Sequence, residues 1–301
     1  MSRGRGIKVI DDIGSVSYDQ TVVAQKYLHD PLLLDGYKFD LRIYVLVTSF
    51  SPLEVFVYKE GFARFSSVKF NTKSSDITNN KMHLTNSSIQ PQKGGFASDN
   101  PTVKSQEDGG SKMTTSELWK RLEEKGVDTK LLWKRSCDCI LKGLMCCTDS
   151  VPFQPSAFEV YGADVIFDEG LNPWLIEFNS SPAMARGTRI DEIVKESMIH
   201  DTAGIVDPPK FDREALVRVC ARRMEEMQKK GKSAMSAGGV GGGGEKERLE
   251  KDLSDILMGK IPRQYGEVPE NMGNYQMLAP GTPYFDKLQG IVGKMFVKAV
   301  I

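Results

Sequence analysis

From Tyr37 to Thr48 the chain reads Tyr-Lys-Phe-Asp-Leu-Arg-Ile-Tyr-Val-Leu-Val-Thr, an apolar strand with Lys38, Asp40 and Arg42 set at every second position. Successive side chains of a strand point to opposite faces, so these charges share one face while Tyr37, Phe39, Leu41 and Ile43 share the other. A row of charges on a core strand points to a ligand. The plain alternative is an exposed ladder of ion pairs, each contributing about 0–1 kcal/mol. The apolar density on both sides of the row argues against simple exposure.

A second polar set lies downstream. Residues 160–168 and 173–179 read as strands that meet around Gly170-Leu171, and a glycine first in a two-residue turn suits a type II′ hairpin. In that register Asp164 faces Glu177 at a Cβ separation of about 5 Å, with Asn179 two places along on the same face. Facing carboxylates repel unless one is protonated or a cation lies between them. Two carboxylates and an amide form an oxygen-only set suited to Mg²⁺, which also takes water and phosphate oxygens. A solvated acidic hairpin in a slipped register is the other reading, because register follows turn type.

At 301 residues the chain is long enough for one large or two modest domains with a real core. Lysines plus arginines equal aspartates plus glutamates, 40 each, so net charge predicts neither a nucleic-acid partner nor a membrane surface. No apolar run approaches the roughly 20 residues of a spanning helix, and the N-terminus lacks the apolar core of a secretion signal. An intracellular protein is the expectation. Cys137, Cys139, Cys146, Cys147 and Cys220 have neither disulfide-frame parity nor zinc spacing; four of them fall on a predicted helix, where free cysteine serves as a small hydrophobe.

Strands are predicted at 7–10, up to 25–28, over 37–48 and over 53–59, the last two as a hairpin around Ser49-Phe50-Ser51-Pro52. Residues 66–115 are polar and read as a long loop containing His83-Leu84-Thr85-Asn86. Helices follow over 116–125, with Ser116 as N-cap, and 129–147, both covering one sheet face. Further helices are predicted over 188–199 and 212–230. The stretch 233–244, densest in glycine from Gly238 to Gly244, is a linker. Beyond it, 245–258 is a charged helix and 261–283 is rich in Pro and Gly.

Several other residues qualify as candidates. Arg3-Gly4-Arg5-Gly6 has the makings of a phosphate-binding turn, although termini with this composition more often fray. Gln25, Lys26, Tyr27 and Leu28 end a predicted strand whose backbone suits an adenine edge. Arg64, flanked by aromatics, is shaped to hold a carboxylate or phosphate bidentately, or to stack on a ring. His83 is a lone histidine, more often a hydrogen-bonding residue than a base.

Taken in order, SRGRGI (2–7), QKYL (25–28), DPLLLDGYKFDLRIYVLVTS (30–49), GFARFS (61–66), HLTN (83–86), YGADVIFD (161–168) and PWLIEFNSSP (173–182) resemble the tubulin tyrosine ligase-like family of ATP-grasp amino-acid ligases, most closely its polyglutamylases. The resemblance covers about three fifths of the chain and fades after Ile199. It implies an α+β fold of ATP-grasp-like antiparallel sheets with covering helices. Residues 1–28 would form part of the central region with its glycine-rich loop and adenine hinge, 29–232 the catalytic domain, 233–244 a linker and 245–301 an extension. It implies ATP and Mg²⁺ as cofactors. The activity implied is transfer of free glutamate onto glutamate side chains of acidic tubulin tails through an acylphosphate.

By the same resemblance, Asp164, Glu177 and Asn179 match Mg²⁺ ligands, and Arg42 and Arg64 match cations stabilising the transferring phosphoryl group. Lys38, Asp40, His83, Thr85 and Asn86 match nucleotide contacts, along with Arg3, Gly4, Arg5, Gly6 and the hinge Gln25 to Leu28. The implied setting is a monomer acting on microtubules in the cytoplasm, including cilium or flagellum axonemes and basal bodies. Two departures stand out. The chain opens inside the glycine-rich loop, without the family's upstream lysines or N-terminal domain, which predicts a fragment or impaired nucleotide binding. Ala183-Met184 follows Ser-Pro where relatives more often carry a small polar residue and leucine. A non-catalytic scaffold, or a ligase of glycine or tyrosine, remains the competing expectation.

Overall fold

The computed structural model describes residues 6–16, 21–73, 76–86, 89–90, 111–152, 154, 157–207, 210–233, 243–259 and 263–299. Arg3, Gly4, Arg5 and most of the glycine-rich linker lie outside them.

The alternating strand forms as expected and runs further. Strand β1 (Leu33–Leu34) pairs with the start of β2 (Tyr37–Phe50), which turns at Ser51-Pro52 into β3 (Leu53–Phe65). With β4 (Lys112–Thr114), β5 (Glu159–Phe167), β6 (Pro173–Asn179) and β7 (Tyr275–Ala279) these make a seven-stranded antiparallel sheet in the order β4-β3-β2-β5-β6, β7 pairing with β3. Strands at 7–10 and 25–28 do not form; neither segment joins a ladder among the described residues. A strand without a neighbour leaves its backbone groups to water, and Gln25 and Lys26 are exposed.

The two sheet faces are covered differently. Tyr37, Phe39, Leu41, Ile43, Val45 and Val47 of β2 pack against Leu118 and Leu122 of α2 (Thr115–Glu123) and Leu132, Ile140 and Leu144 of α3 (Thr129–Met145). Each such side chain contributes about 1.5–3 kcal/mol on full burial. On the opposite face Tyr44, Leu46, Phe56, Tyr58 and Phe62 pack against Val194, Met198 and Ile205 of α4 (Arg189–Val206). Strand β2 thus has one face apolar from Tyr37 to Val47, and a second face that changes from apolar to charged on the Arg42 side of Tyr44.

The N-cap of α2 is Thr114, whose hydroxyl accepts from the Glu117 amide at 3.2 Å; Ser116, the expected cap, hydrogen-bonds Glu60 instead. A single-turn helix α1 (Asn80–His83) interrupts the polar 66–115 stretch. Cys137 is buried in the α3 stripe, and burial pushes its thiol up to about 12, so it stays a neutral core group.

The compact units divide as residues 1–206 with 270–301, and 207–269. This differs from boundaries at 232 and 245, because β7 is hydrogen-bonded to β3 and Phe285 is buried in the main core. The aromatics scattered through the Pro/Gly-rich 261–283 therefore include a strand. The smaller unit consists of α5 (Arg213–Ser233) and α6 (Gly243–Ile256), joined through buried Asp252, which accepts from Arg223 Nε at 2.9 Å and from Arg222. Helix α7 (Pro283–Ala299) closes the chain. No helix among the described residues is long and apolar enough to cross a membrane.

Candidate active site

Strand register assembles the polar face. Asp40 pairs with Arg64 across β2 and β3, and Arg64 with Lys112 across β3 and β4. Two residues along, Phe62, Arg42, Asp164 and Glu177 lie side by side on β3, β2, β5 and β6. Residues directly opposite each other share a face, as do residues two apart on one strand, so all seven face the same way.

The charges answer one another across strands. Arg64 donates Nε and Nη2 to the two Asp40 oxygens, both at 2.6 Å, and Nη2 also reaches Asp164 Oδ2 at 2.9 Å. Arg42 forks onto the same Asp164, Nε to Oδ1 at 2.5 Å and Nη2 to Oδ2 at 3.0 Å. Thr85 Oγ1 donates to Asp40 Oδ2 at 2.5 Å, tying the 83–86 segment to the row. Asp40, Asp164 and Arg64 are all buried. Burial works against the charge of Arg64, but Asp40 and Asp164 outweigh it and raise its pKa. Burial alone would raise Asp164, yet its bonds to Arg42 and Arg64 hold it below the usual carboxylate range.

Lys38 heads a separate chain of contacts. Its Nζ donates to the Tyr27 hydroxyl at 3.2 Å and lies 4.6 Å from the Tyr27 ring centre. The Tyr27 hydroxyl is 2.8 Å from His83 Nδ1, and His83 Nε2 is 3.1 Å from the Asp76 carbonyl. A carbonyl only accepts, so the proton of a neutral His83 sits on Nε2, and Nδ1 accepts from Tyr27. Burial, reinforced by Lys38, lowers the His83 pKa and favours this neutral form over the opposing Asp76 bond. Burial also lowers Lys38 to about 8 against the pull of Asp40. His83 thus positions Tyr27, which supports Lys38.

Asp164 does face Glu177, and Asn179 faces Gly162 two places along. The turn producing this differs from the expected type II′ pair. Residues 168–172 form the connection, Leu171 takes the left-handed conformation at φ 61°, and Asp168 Oδ1 accepts from the Asn172 amide at 2.9 Å. A register shift between Asp164 and Val165 then offsets the longer turn. Glu177 is exposed, whereas Asp164 is 1% exposed. Asn179 Nδ2 lies 3.4 Å from Asp164 Oδ2 and 3.2 Å from Glu177 Oε1.

No group of three or more His, Cys, Asp or Glu suited to a metal occurs among the described residues. The donor set here is two carboxylates and an amide, which fits Mg²⁺ chemically. Asn179 would offer its oxygen after an amide rotation, and a carboxylate has about four lone-pair positions, so Asp164 can keep its arginines and still face a cation.

The remaining candidates are less tightly drawn in. Gly6 has φ 82°, Leu28 is half-buried and Asn86 is half-buried. The sequence reading passed over one cluster beside Arg64. Lys112 Nζ reaches both Asp191 oxygens at 3.2 Å, and Lys195 Nζ reaches Asp191 Oδ1 at 2.8 Å and the Ala185 carbonyl at 2.6 Å. Thr188 Oγ1 donates to Asp191 Oδ2 at 2.8 Å. Burial, then Lys195 and Arg64, depress the Lys112 pKa despite Asp191. Asp191 and Lys195 carried a faint signal, an i,i+4 acid–base pair on a helix; Lys112 carried none.

Residues 1–215 match the family described as tubulin-tyrosine ligase family. Over 214 residues the chain is 40% identical to "Tubulin polyglutamylase TTLL5" of Mus musculus, covering 68% of this chain and 16% of that protein. It is 40% identical over 206 residues to "Probable tubulin polyglutamylase TTLL2" of Homo sapiens, covering 68% and 34%. It is 34% identical over 290 residues to "Tubulin polyglutamylase ttll6" of Danio rerio, covering 92% and 35%. The chain therefore spans about a sixth to a third of the length of these relatives.

Proposed function

The chain belongs to the tubulin-tyrosine ligase family, and from that premise we propose that it serves ATP-dependent ligation of glutamate to glutamate side chains of tubulin tails. The observation that carries this reading is the interlocked row Asp40, Arg64, Asp164, Arg42, with exposed Glu177 at its end. Two guanidinium groups fixed by buried carboxylates are preorganised, so little reorganisation is needed when a phosphoryl group arrives.

In the proposed reaction the acceptor carboxylate takes the γ-phosphoryl group of ATP, giving an acylphosphate and ADP. The amine of free glutamate then attacks that carbonyl, a C–N bond forms, and inorganic phosphate leaves. Arg42 and Arg64 would hold the non-bridging oxygens of the transferring phosphoryl group, a role suited to a rigid charged fork. Asp40 gives its oxygens to Arg64 and Thr85, so its part is to orient Arg64 rather than to touch phosphate. Lys38, backed by Tyr27 and His83, would meet another phosphate oxygen. Asp164, Glu177 and Asn179 would hold Mg²⁺, which supplies charge neutralisation across the nucleotide phosphates when bound. The setting proposed is the tubulin cytoskeleton, including the axoneme and basal body.

Labelled glutamate, glycine and tyrosine, offered side by side with Mg·ATP and tubulin, test this reading. Glutamate alone should enter the protein. Preferential incorporation of glycine or tyrosine would reassign the donor. A folded chain that neither binds Mg·ATP nor incorporates any of the three would favour a non-catalytic relative.

A further inference from the structure

We infer that Gln90 is a positioning residue for the nucleotide site, its single side-chain amide holding the turn that brings His83 and Thr85 to their partners. The inference rests on the ligase reading and deepens it.

Gln90 is buried, at 2% exposure. The Asn86 carbonyl accepts from the Ile89 amide at 2.9 Å and from the Gln90 amide at 3.2 Å, which folds the chain back onto α1. Gln90 Nε2 donates to the Leu84 carbonyl at 2.6 Å and to the Lys81 carbonyl at 3.0 Å, and Oε1 accepts from the Ser67 amide at 3.1 Å. Carbonyls only accept and an amide N–H only donates, so these three partners fix which way the side-chain amide faces. Both carbonyls lie at the C-terminal end of a single-turn helix, where intrahelical partners run out. Ser67 follows Ser66, whose amide donates to the Lys38 carbonyl at 2.9 Å. One buried amide therefore ties the end of β3 beside Lys38 to the turn.

The turn carries two arms. His83 lies between the two gripped carbonyls and bonds Tyr27, the support of Lys38. Thr85 comes directly after them and donates to Asp40, the anchor of Arg64. The arms thus end on two of the cations proposed to meet phosphate. Lys38 is 6% exposed, its Nζ 5.7 Å from the Phe70 ring centre, and the Phe70 ring meets His83 edge-on at 6.0 Å. The titratable and charged groups facing Lys38 are Asp40 on its own strand, the Tyr27 hydroxyl and His83, with His29 against Tyr27 and Asp76 against His83 behind them. A turn no longer held by Gln90 would withdraw His83 and Thr85 together. Water would then reach Lys38, and Asp40 would lose a donor. An amide that served stability alone would change neither cation.

The test follows Lys38 in the full chain by lysine-selective NMR titration and, separately, Mg·ATP binding by calorimetry. Wild-type Lys38 should titrate near its buried value of about 8. Gln90→Met keeps the length of the side chain and removes its polar atoms. It should move the Lys38 midpoint about one pH unit or more toward the ordinary lysine value and weaken Mg·ATP about ten- to hundredfold. The acceptor-peptide KM should stay within about twofold. Gln90→Glu, which keeps an acceptor for Ser67 and loses both donors, should behave alike. In a Tyr27→Phe background, where the hydroxyl link from His83 to Lys38 is already gone, Gln90→Met should shift the midpoint little further. A folded Gln90→Met that keeps either the wild-type midpoint or the wild-type Mg·ATP affinity, or that raises the peptide KM equally, overturns the positioning role and leaves the ligase reading standing. If neither Gln90 variant folds, hydrogen exchange of the wild type decides: the Ser67 and Leu84 amides should open as one unit, and independent exchange overturns the role. A wild-type chain that binds no Mg·ATP would sink the ligase reading, while the Lys38 titration, which needs no nucleotide, would still judge Gln90.

Discussion

Glu177→Gln removes one negative charge while keeping the side chain's shape at an exposed position of β6. Its hydrogen bond from Asn179 Nδ2, 3.2 Å long, needs only an acceptor oxygen, which the amide retains. The lost charge faces Asp164. At a separation of about 5 Å the repulsion between them is roughly 1–3 kcal/mol for dielectric constants of about 80 to 20, and exposure places it near the lower figure. The variant should therefore melt at or slightly above the wild-type temperature.

Cation binding should move the other way. Loss of one charged oxygen ligand costs about 1.5–3 kcal/mol, or about ten- to 150-fold in Mg²⁺-dependent ATP affinity. Calorimetric titration of ATP with and without EDTA isolates that component, and labelled glutamate incorporation in the full chain should be abolished. The reasoning is refuted if a folded variant keeps the wild-type Mg²⁺ dependence and turnover. Asp164→Asn gives the contrast. That residue is buried and shared by Arg42 and Arg64, so the substitution should cost about 3–5 kcal/mol of stability by stranding paired charges, read as an early denaturant midpoint.

Two further outcomes follow from the same geometry. In Gly162→Ala the new Cβ would lie 2.8 Å from Arg42 Cδ and 3.0 Å from Nε, forcing the guanidinium off Asp164; turnover should fall about a hundredfold with a stability loss of about 1–3 kcal/mol, and wild-type turnover in a folded variant would remove Arg42 from the reaction. The Lys38 pKa is lowered to about 8 by burial, so between there and the ordinary lysine value the unfolded chain binds more protons and stability rises with pH. Over that window the ammonium needed for phosphate is lost; ATP affinity measured from pH 7 to 9.5 should fall by up to about tenfold per unit above pH 8, and Lys38→Arg should flatten the profile. A level wild-type profile would exclude Lys38 from phosphate binding.

Local pattern made part of this site legible. Alternation put Lys38, Asp40 and Arg42 on one face, and Asp164 did meet Glu177, although the turn expected to set that register was the wrong one and a compensating register shift restored it. What local pattern cannot carry is pairing between distant strands. Arg42 and Asp164 are 122 positions apart, so nothing in either neighbourhood announces that the proposed metal ligand is also the anchor of an arginine fork. Strand β7 was hidden for the same reason, since five residues amid Pro and Gly become a strand only beside β3. Lys112 was overlooked because its meaning depends on a helix more than 70 residues later. Conversely, the strands expected at 7–10 and 25–28 had local propensity but no ladder partner among the described residues.

The lattice of Asp40, Arg64, Asp164 and Arg42 has a consequence for inheritance. Each member is answered from a different strand, so a substitution at one site strands a charge at another before any benefit can be tested by selection. These four positions should drift together or not at all, while the turns and helices α5 and α6 diversify without reference to them.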